Sequence, residues 1–228
     1  MQEESLKNYR KKIRIRYREQ LKQLENLVTK MGYIAIETVK DSVESLKNQD
    51  VELAKKVLKE SEKIDKLELE IEKNCMYLLA LQQPLGPDLR FIATCLKMIT
   101  DLDRISDLSG NIAEITIKTA GKPFFKPLID IPRMSEISQG MIKKALNAFS
   151  TKNDENLTKL SEEDDLIDGL YDQIFRELIT LVIEKPSGIS DAAHLLFVAR
   201  YLERIADHSC NLASRVIYMI TGKRVKIE

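Results

Sequence analysis

Hydrophobic residues recur at helical spacing over three long stretches in the first half of the chain. The first stretch carries Leu24, Leu27, Val28, Met31, Ile34, Ala35 and Val39. The second carries Leu53, Val57, Ile64, Leu67, Ile71, Leu78 and Leu81. The third runs from about Asp88 to Gly121 through Ile92, Leu96, Ile99, Leu102, Ile105 and Ile112. Residues three and four apart share one face of an α-helix, so the pattern predicts three helices of ~25–35 residues.

Short polar breaks separate these stretches. Asp50 and Asp88 are placed to cap the second and third helices, because an aspartate side chain accepts hydrogen bonds from the free N–H groups of a first turn. Glycine and proline mark the turn after the second helix (Pro84, Gly86, Pro87) and a similar turn in the second half (Pro186, Gly188). Short connections between long helices make neighbouring helices antiparallel. We therefore expect an up-down-up bundle.

The segment 121–133 is the richest in proline. It contains Pro123, Pro127 and Pro132, three of the six prolines in the chain. Each proline removes a backbone donor and restricts the residue before it, which disfavours an ordinary helix. The segment is therefore predicted to be a linker between a first unit, 1–120, and a second unit, 134–228.

The two halves of the chain are related to each other. Residues 43–68 align with residues 146–171 at a constant offset of 103, which places Ile64-Asp65 on Ile167-Asp168. DRISDLSGNIAE, residues 103–114, falls on ERIADHSCNLAS, residues 203–214, at an offset of 100. Such self-similarity indicates an internal duplication. The predicted fold is all-α, with two tandem antiparallel three-helix bundles and six long helices.

Composition supports a helical protein. Charged residues make up 32% of the chain, aromatic residues only 6%, and tryptophan is absent, which suits helix bundles better than β-sandwiches. Lys+Arg and Asp+Glu number 36 each, so overall charge favours neither nucleic acid nor membrane. Three scattered cysteines without paired spacing suit a reducing compartment. With no signal-peptide pattern and no run of ~18 apolar residues, we expect a cytoplasmic protein without a transmembrane segment.

A run of basic residues lies near the start of the first helix. Its members are Lys7, Arg10, Lys11, Lys12, Arg14, Arg16 and Arg18. Such a run either contacts anionic lipid or a partner, or is simply the solvated start of a helix. The sequence leaves both interpretations open.

The third helix of each half carries a line of polar residues at a spacing of four. In the first half the line is Asp103, Asp107 and Asn111, and in the second it is Glu203, Asp207 and Asn211. Residues four apart on a helix bring their Cβ atoms to about 5–6 Å from each other. Two such carboxylates repel unless a cation, an arginine or solvent lies between them. Each line is therefore either a solvated acidic stripe or part of a cation site.

The first helix offers a second pair of carboxylates, Glu37 and Asp41, at the same spacing. If this pair faces Asp103 and Asp107, four carboxylates converge on one patch. Oxygen-preferring hard cations (Mg²⁺, Ca²⁺, Mn²⁺ or ferric iron) would be its natural ligands. Folding is not expected to require the metal.

The equivalent positions of the second half differ. The offset of 103 places Gly140 and Lys144 where the first half has Glu37 and Asp41. A lysine beside Glu203 and Asp207 would neutralise them by ion pairing. The sequence therefore predicts the more competent metal site in the first half and a weakened one in the second.

No catalytic signature is recognisable. The chain has two histidines, His194 and His208, and no ExxH pair of the kind that anchors metal inside di-iron bundles. His208 is interpreted as a surface or packing residue. Glycine-rich phosphate loops, HExxH and GxSxG are also missing from the sequence. We therefore expect a protein that is not an enzyme.

DLDRISDLSGNIAE and YLERIADHSCNLAS resemble the paired signature of PhoU proteins, whose usual form is close to (D/E)LERIGD-x-x-x-NIAE. The resemblance extends to Met31-Gly32, to the IDKLE of residues 64–68 and to the LLALQQPLGPDLR of residues 78–90. The sequence departs from the family pattern at Ser106 and Ala206, where glycine is usual, at Asp103, where glutamate is usual, and at Lys144, where an acid is usual.

The resemblance implies regulation rather than catalysis. PhoU proteins are six-helix cytoplasmic accessory proteins of the phosphate-specific ABC transporter. The resemblance implies contacts with the ATPase subunit of that transporter and with a phosphate sensor histidine kinase, restraint of phosphate uptake and of the starvation response, and a homodimer. It implies no nucleic-acid partner, and membrane association only through partner proteins.

Some family members bind multinuclear iron through pairs of (E/D)xxxD motifs. By resemblance, those motifs fall here on Glu37 and Asp41 with Asp103 and Asp107, and on Glu203 with Asp207. Two alternatives remain open from the sequence. One is a helical bundle that stores iron or carries out redox chemistry at carboxylate-bound metal, and the other is a purely structural helical scaffold.

Overall fold

The computed structural model describes residues 2–121, 124 and 126–227, with side chains from residue 14 onward in those ranges. Six α-helices account for most of this part of the chain: α1 (Gln2–Asn48), α2 (Val51–Gln82), α3 (Gly86–Thr119), α4 (Asp130–Thr151), α5 (Leu160–Glu184) and α6 (Ile189–Thr221). Short 3₁₀ turns, Leu157–Lys159 and Pro186–Gly188, precede α5 and α6. The described residues contain no strand. The predicted all-α fold with six helices is confirmed.

The helices form two three-helix repeats, α1–α2–α3 and α4–α5–α6. Within the first repeat α2 returns along α1, so that Lys56 of α2 reaches Asp41 of α1. Helix α3 then packs on both, and the hydroxyls of Ser61 and Ser106 meet at 2.9 Å between α2 and α3. The second repeat has the same order of packing, with α6 against α4 and α5. The prediction of tandem three-helix bundles is confirmed.

The repeats also pack on each other, α1 against α4 and α3 against α6. Helices α3 and α6 are antiparallel, because Arg90 near the start of α3 donates to the carbonyl of Met219 near the end of α6. One continuous hydrophobic core includes buried residues of all six helices. The two repeats are therefore parts of one packed body.

Helices α1 and α4 approach closely at Gly32. A Cβ atom at this position would lie 2.5 Å from both methyl carbons of Leu146, whose side chain is fully packed. Real Cβ atoms do not approach other carbons so closely, so the crossing needs glycine here. The Met31-Gly32 pair in the sequence thus fixes how near the two repeats can lie.

The two predicted helix caps have different outcomes. Asp50 caps α2, since its carboxylate accepts a 2.9 Å hydrogen bond from the backbone N–H of Leu53. Asp88 is not a cap, because α3 already begins at Gly86, where the backbone has a φ of +55° and Pro87 follows. Asp88 instead lies in the first turn, where a negative charge favours the helix dipole.

The prediction for the linker is wrong at its C-terminal end. Helix α4 begins at Asp130, so Pro132 lies in its first turn rather than before it. Proline is tolerated there because the N–H groups of a first turn have no partner within the helix. Pro123 lies outside the described residues.

Helix lengths also differ from expectation. Helix α1 has 47 residues, whereas ~25–35 were predicted for each helix of the first half. The basic run lies in the N-terminal part of α1, which accounts for the extra length. The side chains of Lys7, Arg10, Lys11 and Lys12 lie outside the described residues, whereas those of Arg14, Arg16 and Arg18 are exposed.

All three cysteines are buried among the packed helices. Cys75, Cys95 and Cys210 are buried free thiols, and burial raises the pKa of Cys75 and Cys210 to about 12. At neutral pH both are therefore protonated and poor nucleophiles.

Among the described helices, none combines the length and the apolar composition needed to cross a membrane.

Candidate functional site

The outer edges of α3 and α6 carry the predicted carboxylate lines. Asp107 on α3 and Asp207 on α6 are exposed, whereas Asp103 and Glu203, one turn earlier on each helix, are partly buried. The buried face of each helix is apolar, so the helix must turn this polar edge outward. What each line of carboxylates can bind depends on the residues that pack beside it.

In the second repeat the line meets two carboxylates of α5. Burial raises the pKa of Asp164 to about 6, and the charges of Asp168 and Asp207 add to the effect. Burial and then the charge of Asp207 also raise the pKa of Asp168. We call the set Asp164, Asp168, Glu203 and Asp207 the second acidic cluster. Burial and the neighbouring negative charges oppose the ionisation of Asp164, Asp168 and Glu203.

Glu203 is a partly buried member of the second acidic cluster, and it forms an ion pair with Arg200. Burial raises its pKa, the nearby Arg200 opposes this, and Asp207 and Asp168 add to the rise. One carboxylate oxygen accepts a hydrogen bond from Arg200, one turn earlier on α6. The other oxygen is buried and makes no hydrogen bond within the described part of the chain. The cluster thus contains a buried acceptor that a cation or a donor group could satisfy.

The sequence interpretation did not include Asp164 and Asp168. They have the same spacing of four as the other pairs, and Asp168 lies inside the duplicated segment at the offset of 103. This spacing marks both residues as a pair, but spacing along α5 does not indicate that α5 packs beside the acidic line of α6. The structure places the second helix of each repeat beside the acidic line of the third.

The first repeat has a related cluster at the same place between its second and third helices. Burial raises the pKa of Asp103, and the charges of Asp107 and Asp65 add to it. Ser61 stands where the second repeat has Asp164, and its hydroxyl is hydrogen-bonded to that of Ser106. Burial and then the charge of Asp103 raise the pKa of Glu68. Asp65, Glu68, Asp103 and Asp107 form what we call the first acidic cluster.

Glu37 and Asp41 lie on a different face of the first repeat. Asp41 accepts a 2.9 Å hydrogen bond from Lys56 of α2, and Glu37 lies 3.8 Å from Lys40 on its own helix. Both line a cavity of about 440 Å³ between α1 and α2 together with Glu60. The expected convergence of this pair with Asp103 and Asp107 is not found, because α2 supplies the neighbours of Asp103.

Lys144 does not neutralise the acidic line of the second repeat. Its ammonium group contacts Glu163 of α5, rather than Glu203 or Asp207. Arg200 is the cation that acts on Glu203. The expectation that the second cluster is the weaker one therefore loses its physical basis.

His208 has a structural setting, as predicted for a packing residue. Its Nδ1 lies 3.1 Å from a carboxylate oxygen of Asp101 across the α3–α6 contact. The other oxygen of Asp101 accepts a 2.5 Å hydrogen bond from Nε of Arg215. Asp101 is 4% exposed, so this carboxylate joins the two repeats from inside their contact.

Carboxylate oxygens suit hard cations, yet the side chains are not arranged around a common centre. Among the residues with described side chains, no group of three or more His, Cys, Asp or Glu residues could hold a metal ion as placed. Burial, with the charges of neighbouring carboxylates added to it, raises the pKa of Asp103, Asp164, Asp168 and Glu203. A bound cation would favour their ionised forms. The metal-ligand role of Glu37, Asp41, Asp103, Asp107, Glu203 and Asp207 stays a prediction.

Comparison with known families gives a match over both repeats. The model of the PhoU domain matches residues 28–116 and 131–216. The two matched ranges correspond to the two three-helix repeats, and the second starts one residue after α4 begins.

Among curated proteins, the chain is 41% identical over 207 residues to a "phosphate-specific transport system accessory protein PhoU homolog" of Aquifex aeolicus, covering 91% of this chain and 94% of that protein. It is 35% identical to the homolog of Rhizobium meliloti over 205 residues, 90% of this chain and 86% of that one.

Among solved structures, PhoU from Pseudomonas aeruginosa superposes with a TM-score of 0.87 at 29% identity, covering 91% of this chain and all of that one, 100%. The phosphate transport system regulatory protein PhoU from Streptococcus pneumoniae gives a TM-score of 0.84 at 26% identity, with 92% and 99% coverage.

Proposed function

Because the chain belongs to the PhoU family, we propose that it is an accessory protein that restrains phosphate uptake and the phosphate-starvation response when phosphate is plentiful. The observation that carries the proposal is the family match over both repeats, together with relatives of up to 41% identity described as phosphate-specific transport system accessory proteins. The coverage of those relatives is nearly complete, so the likeness concerns the whole fold rather than one helix pair.

The proposed mode of action is contact with other proteins in the cytoplasm. The proposed partners are the ATPase subunit of the phosphate ABC transporter and a phosphate sensor histidine kinase. The antiparallel packing of α3 on α6 supports this, because it sets the two acidic clusters at similar levels along the helices. Two related but unequal acidic surfaces suit two different basic partner surfaces. A homodimer is proposed on the family resemblance alone.

A binding experiment tests the proposed partners. Immobilised full-length protein is exposed to the ATPase subunit and to the cytoplasmic part of the kinase, each at low and at high phosphate. We expect binding of both proteins, stronger at high phosphate for the partner that transmits repression. Absence of binding to either protein at every phosphate concentration would contradict the proposal.

A genetic experiment tests the acidic clusters. A deletion strain is complemented with Asp103→Ala/Asp107→Ala or with Asp164→Ala/Asp168→Ala, and a starvation reporter is read at high phosphate. We expect derepression by one or both pairs. The matched control is Glu44→Ala/Glu52→Ala, two exposed acids by the α1–α2 turn. If both double variants repress the starvation reporter as wild type does, the acidic clusters are not contact surfaces. That result would favour the alternative of a purely structural helical scaffold.

A metal role is proposed as a secondary property of the second acidic cluster. The charge density and the unsatisfied oxygen of Glu203 support it. Chelator-stripped protein is incubated with Mn²⁺ or ferric iron, desalted, and tested by elemental analysis and thermal melting. We expect retained metal that is lost in Asp164→Asn/Glu203→Gln but kept in the control Glu37→Gln/Asp41→Asn. Equal retention by all three proteins would contradict this assignment.

A further inference from the structure

One end of the molecule combines positive charge with exposed aliphatic side chains. We call it the basic end. It comprises residues 14–22 of α1 and the α2–α3 turn with the first turns of α3. It also includes Lys152, which directly follows α4, and the segment 222–227, which follows α6. It is the end from which α1 begins, opposite to the α1–α2 turn.

Contacts between distant segments hold the basic end together. Arg18 and Leu21 of α1, Phe91 of α3 and Ile220 of α6 line one cavity of about 490 Å³. Arg90 donates to the carbonyl of Met219 at 3.4 Å. After α6 the chain turns back, and the backbone N–H of Ile227 donates to the Ser214 hydroxyl at 3.3 Å. The basic end is thus a packed part of the fold that both repeats build.

Positive charge predominates at this surface. The cations are Arg14, Arg16, Arg18, Lys22, Arg90, Lys152, Lys223, Arg224 and Lys226. Among the nearby acids, Glu25 is bound by Lys22 at 2.6 Å and by Lys152 at 3.2 Å. Burial opposes ionisation of Glu25, but these two lysines outweigh it and keep its pKa below the ordinary value. Asp88 lies beside the Tyr17 hydroxyl, whose pKa burial and Asp88 raise to about 12.

Aliphatic side chains project from the same end. Leu85, at the tip of the α2–α3 turn, is 83% exposed. Ile15, Leu81, Leu89 and Val225 are also exposed and come from α1, α2, α3 and the segment after α6. These side chains come from four segments and share one end of the molecule with the clustered cations, and it is this combination that suits a contact surface.

We propose that the basic end docks directly on an anionic lipid bilayer. Lipid satisfies both features, because acidic headgroups attract clustered Lys and Arg, and separated aliphatic side chains can enter the headgroup–acyl boundary. Nucleic acid would use the cations but would leave Leu85 and Val225 in water. The basic run continues in the sequence through Lys7, Arg10, Lys11 and Lys12, but the proposal rests on the described residues.

Vesicle sedimentation tests the proposal with purified full-length protein and lipid alone. Vesicles of phosphatidylcholine are compared with vesicles containing about one third phosphatidylglycerol, at low and high salt. We expect binding only to the anionic vesicles, weakened at least about tenfold by high salt because screening shortens the reach of surface charge. No transporter or kinase is present, so failure here leaves the proposed regulatory function untouched.

Two variant pairs separate charge from insertion. Arg14→Glu/Arg16→Glu/Arg18→Glu should lose binding, whereas the charge-matched control Lys40→Glu/Lys47→Glu/Lys55→Glu, near the α1–α2 turn, should bind like wild type. Leu85→Ser should bind several-fold more weakly. Its control is Ile183→Ser, which removes an exposed aliphatic side chain near the corresponding turn of the second repeat. Circular dichroism and thermal melting confirm that all variants are folded.

Four results would overturn the proposal. Equal binding to neutral and anionic vesicles would exclude charge recognition. Equal loss in the Arg14→Glu/Arg16→Glu/Arg18→Glu variant and its control would show a net-charge effect without a specific surface. Release by inorganic phosphate at constant ionic strength would show a free-anion site in place of a lipid surface. Absence of vesicle binding altogether would leave an acidic protein as the occupant of this end.

Discussion

Asp101 shows how one side chain can hold the two repeats in register. Its buried carboxylate accepts from Nδ1 of His208 at 3.1 Å and from Nε of Arg215 at 2.5 Å. Both donors belong to α6, whereas Asp101 belongs to α3. Removing a buried acceptor leaves its donors without the hydrogen bonds that offset their desolvation.

We expect Asp101→Ala to lower the free energy of unfolding by about 1–3 kcal/mol, with partial recovery in Asp101→Asn, which keeps one acceptor oxygen. Urea denaturation measures both. The control Glu114→Ala removes an exposed acid of the same helix and should change the free energy of unfolding by less than about 0.5 kcal/mol. An Asp101→Ala protein as stable as wild type would show that the α3–α6 contact does not depend on this carboxylate.

Gly32 makes the second residue-scale prediction. Gly32→Ala places a methyl group against Leu146 and should cost about 1–3 kcal/mol, as overpacking of a core does. Adding Leu146→Ala should relieve the clash, so the double variant should lose less than the sum of the two single losses. The control Gly169→Ala lies in open space on α5 and should be neutral or stabilising. Strict additivity in denaturation would contradict the close approach.

At the scale of the elements, pairing α5 with α6 produces the second acidic cluster and its pH dependence. The pKa of Asp164 is raised from about 3.9 in an unfolded chain to about 6. Only about one pH unit below the unfolded-state pKa, near pH 3, is the group protonated in both states, and there it contributes nothing. As pH rises towards 7, the folded state resists the ionisation that the unfolded state accepts, so this group increasingly destabilises the fold.

Asp164→Asn should therefore be more stable than wild type at pH 7.5, by about 1 kcal/mol after allowance for solvent screening of a half-exposed group. The difference should shrink as pH falls and vanish near pH 3, below both pKa values. Thermal melting across that pH range measures it, with Glu162→Gln, an exposed acid in the first turn of α5, as the control. A constant difference at every pH would show that packing, rather than ionisation, causes the effect.

Local signals in the sequence were sufficient for the elements but not for their neighbours. Asp50 was correctly predicted as a cap because capping depends on residues three positions away. The pairing of Glu37 and Asp41 with Asp103 failed, because spacing on one helix does not reveal which helix lies opposite. Asp168 was visible in the aligned repeats, yet only the packing of α5 on α6 gives it a role.

At the scale of the whole molecule, duplication predicted two bundles but not how they meet. Self-similarity reports what is common to the repeats, whereas the contact between them depends on what each repeat buries against the other. Met31, Met98 and Phe149 are all fully buried and belong to one core cluster that spans α1, α3 and α4. A repeat alone would expose this surface to water.

The shared core predicts that the protein unfolds as one cooperative unit despite its two repeats. Calorimetry should show a single transition whose calorimetric and van't Hoff enthalpies agree. Leu146→Ala in α4 should lower the amide-exchange protection of α3 in the other repeat as much as that of α6, by about 2–5 kcal/mol. Leu166→Ala, an exposed substitution on α5, should change neither. Two separate transitions, or a loss of protection confined to α4–α6, would show that the repeats are independent domains whose contact adds little stability.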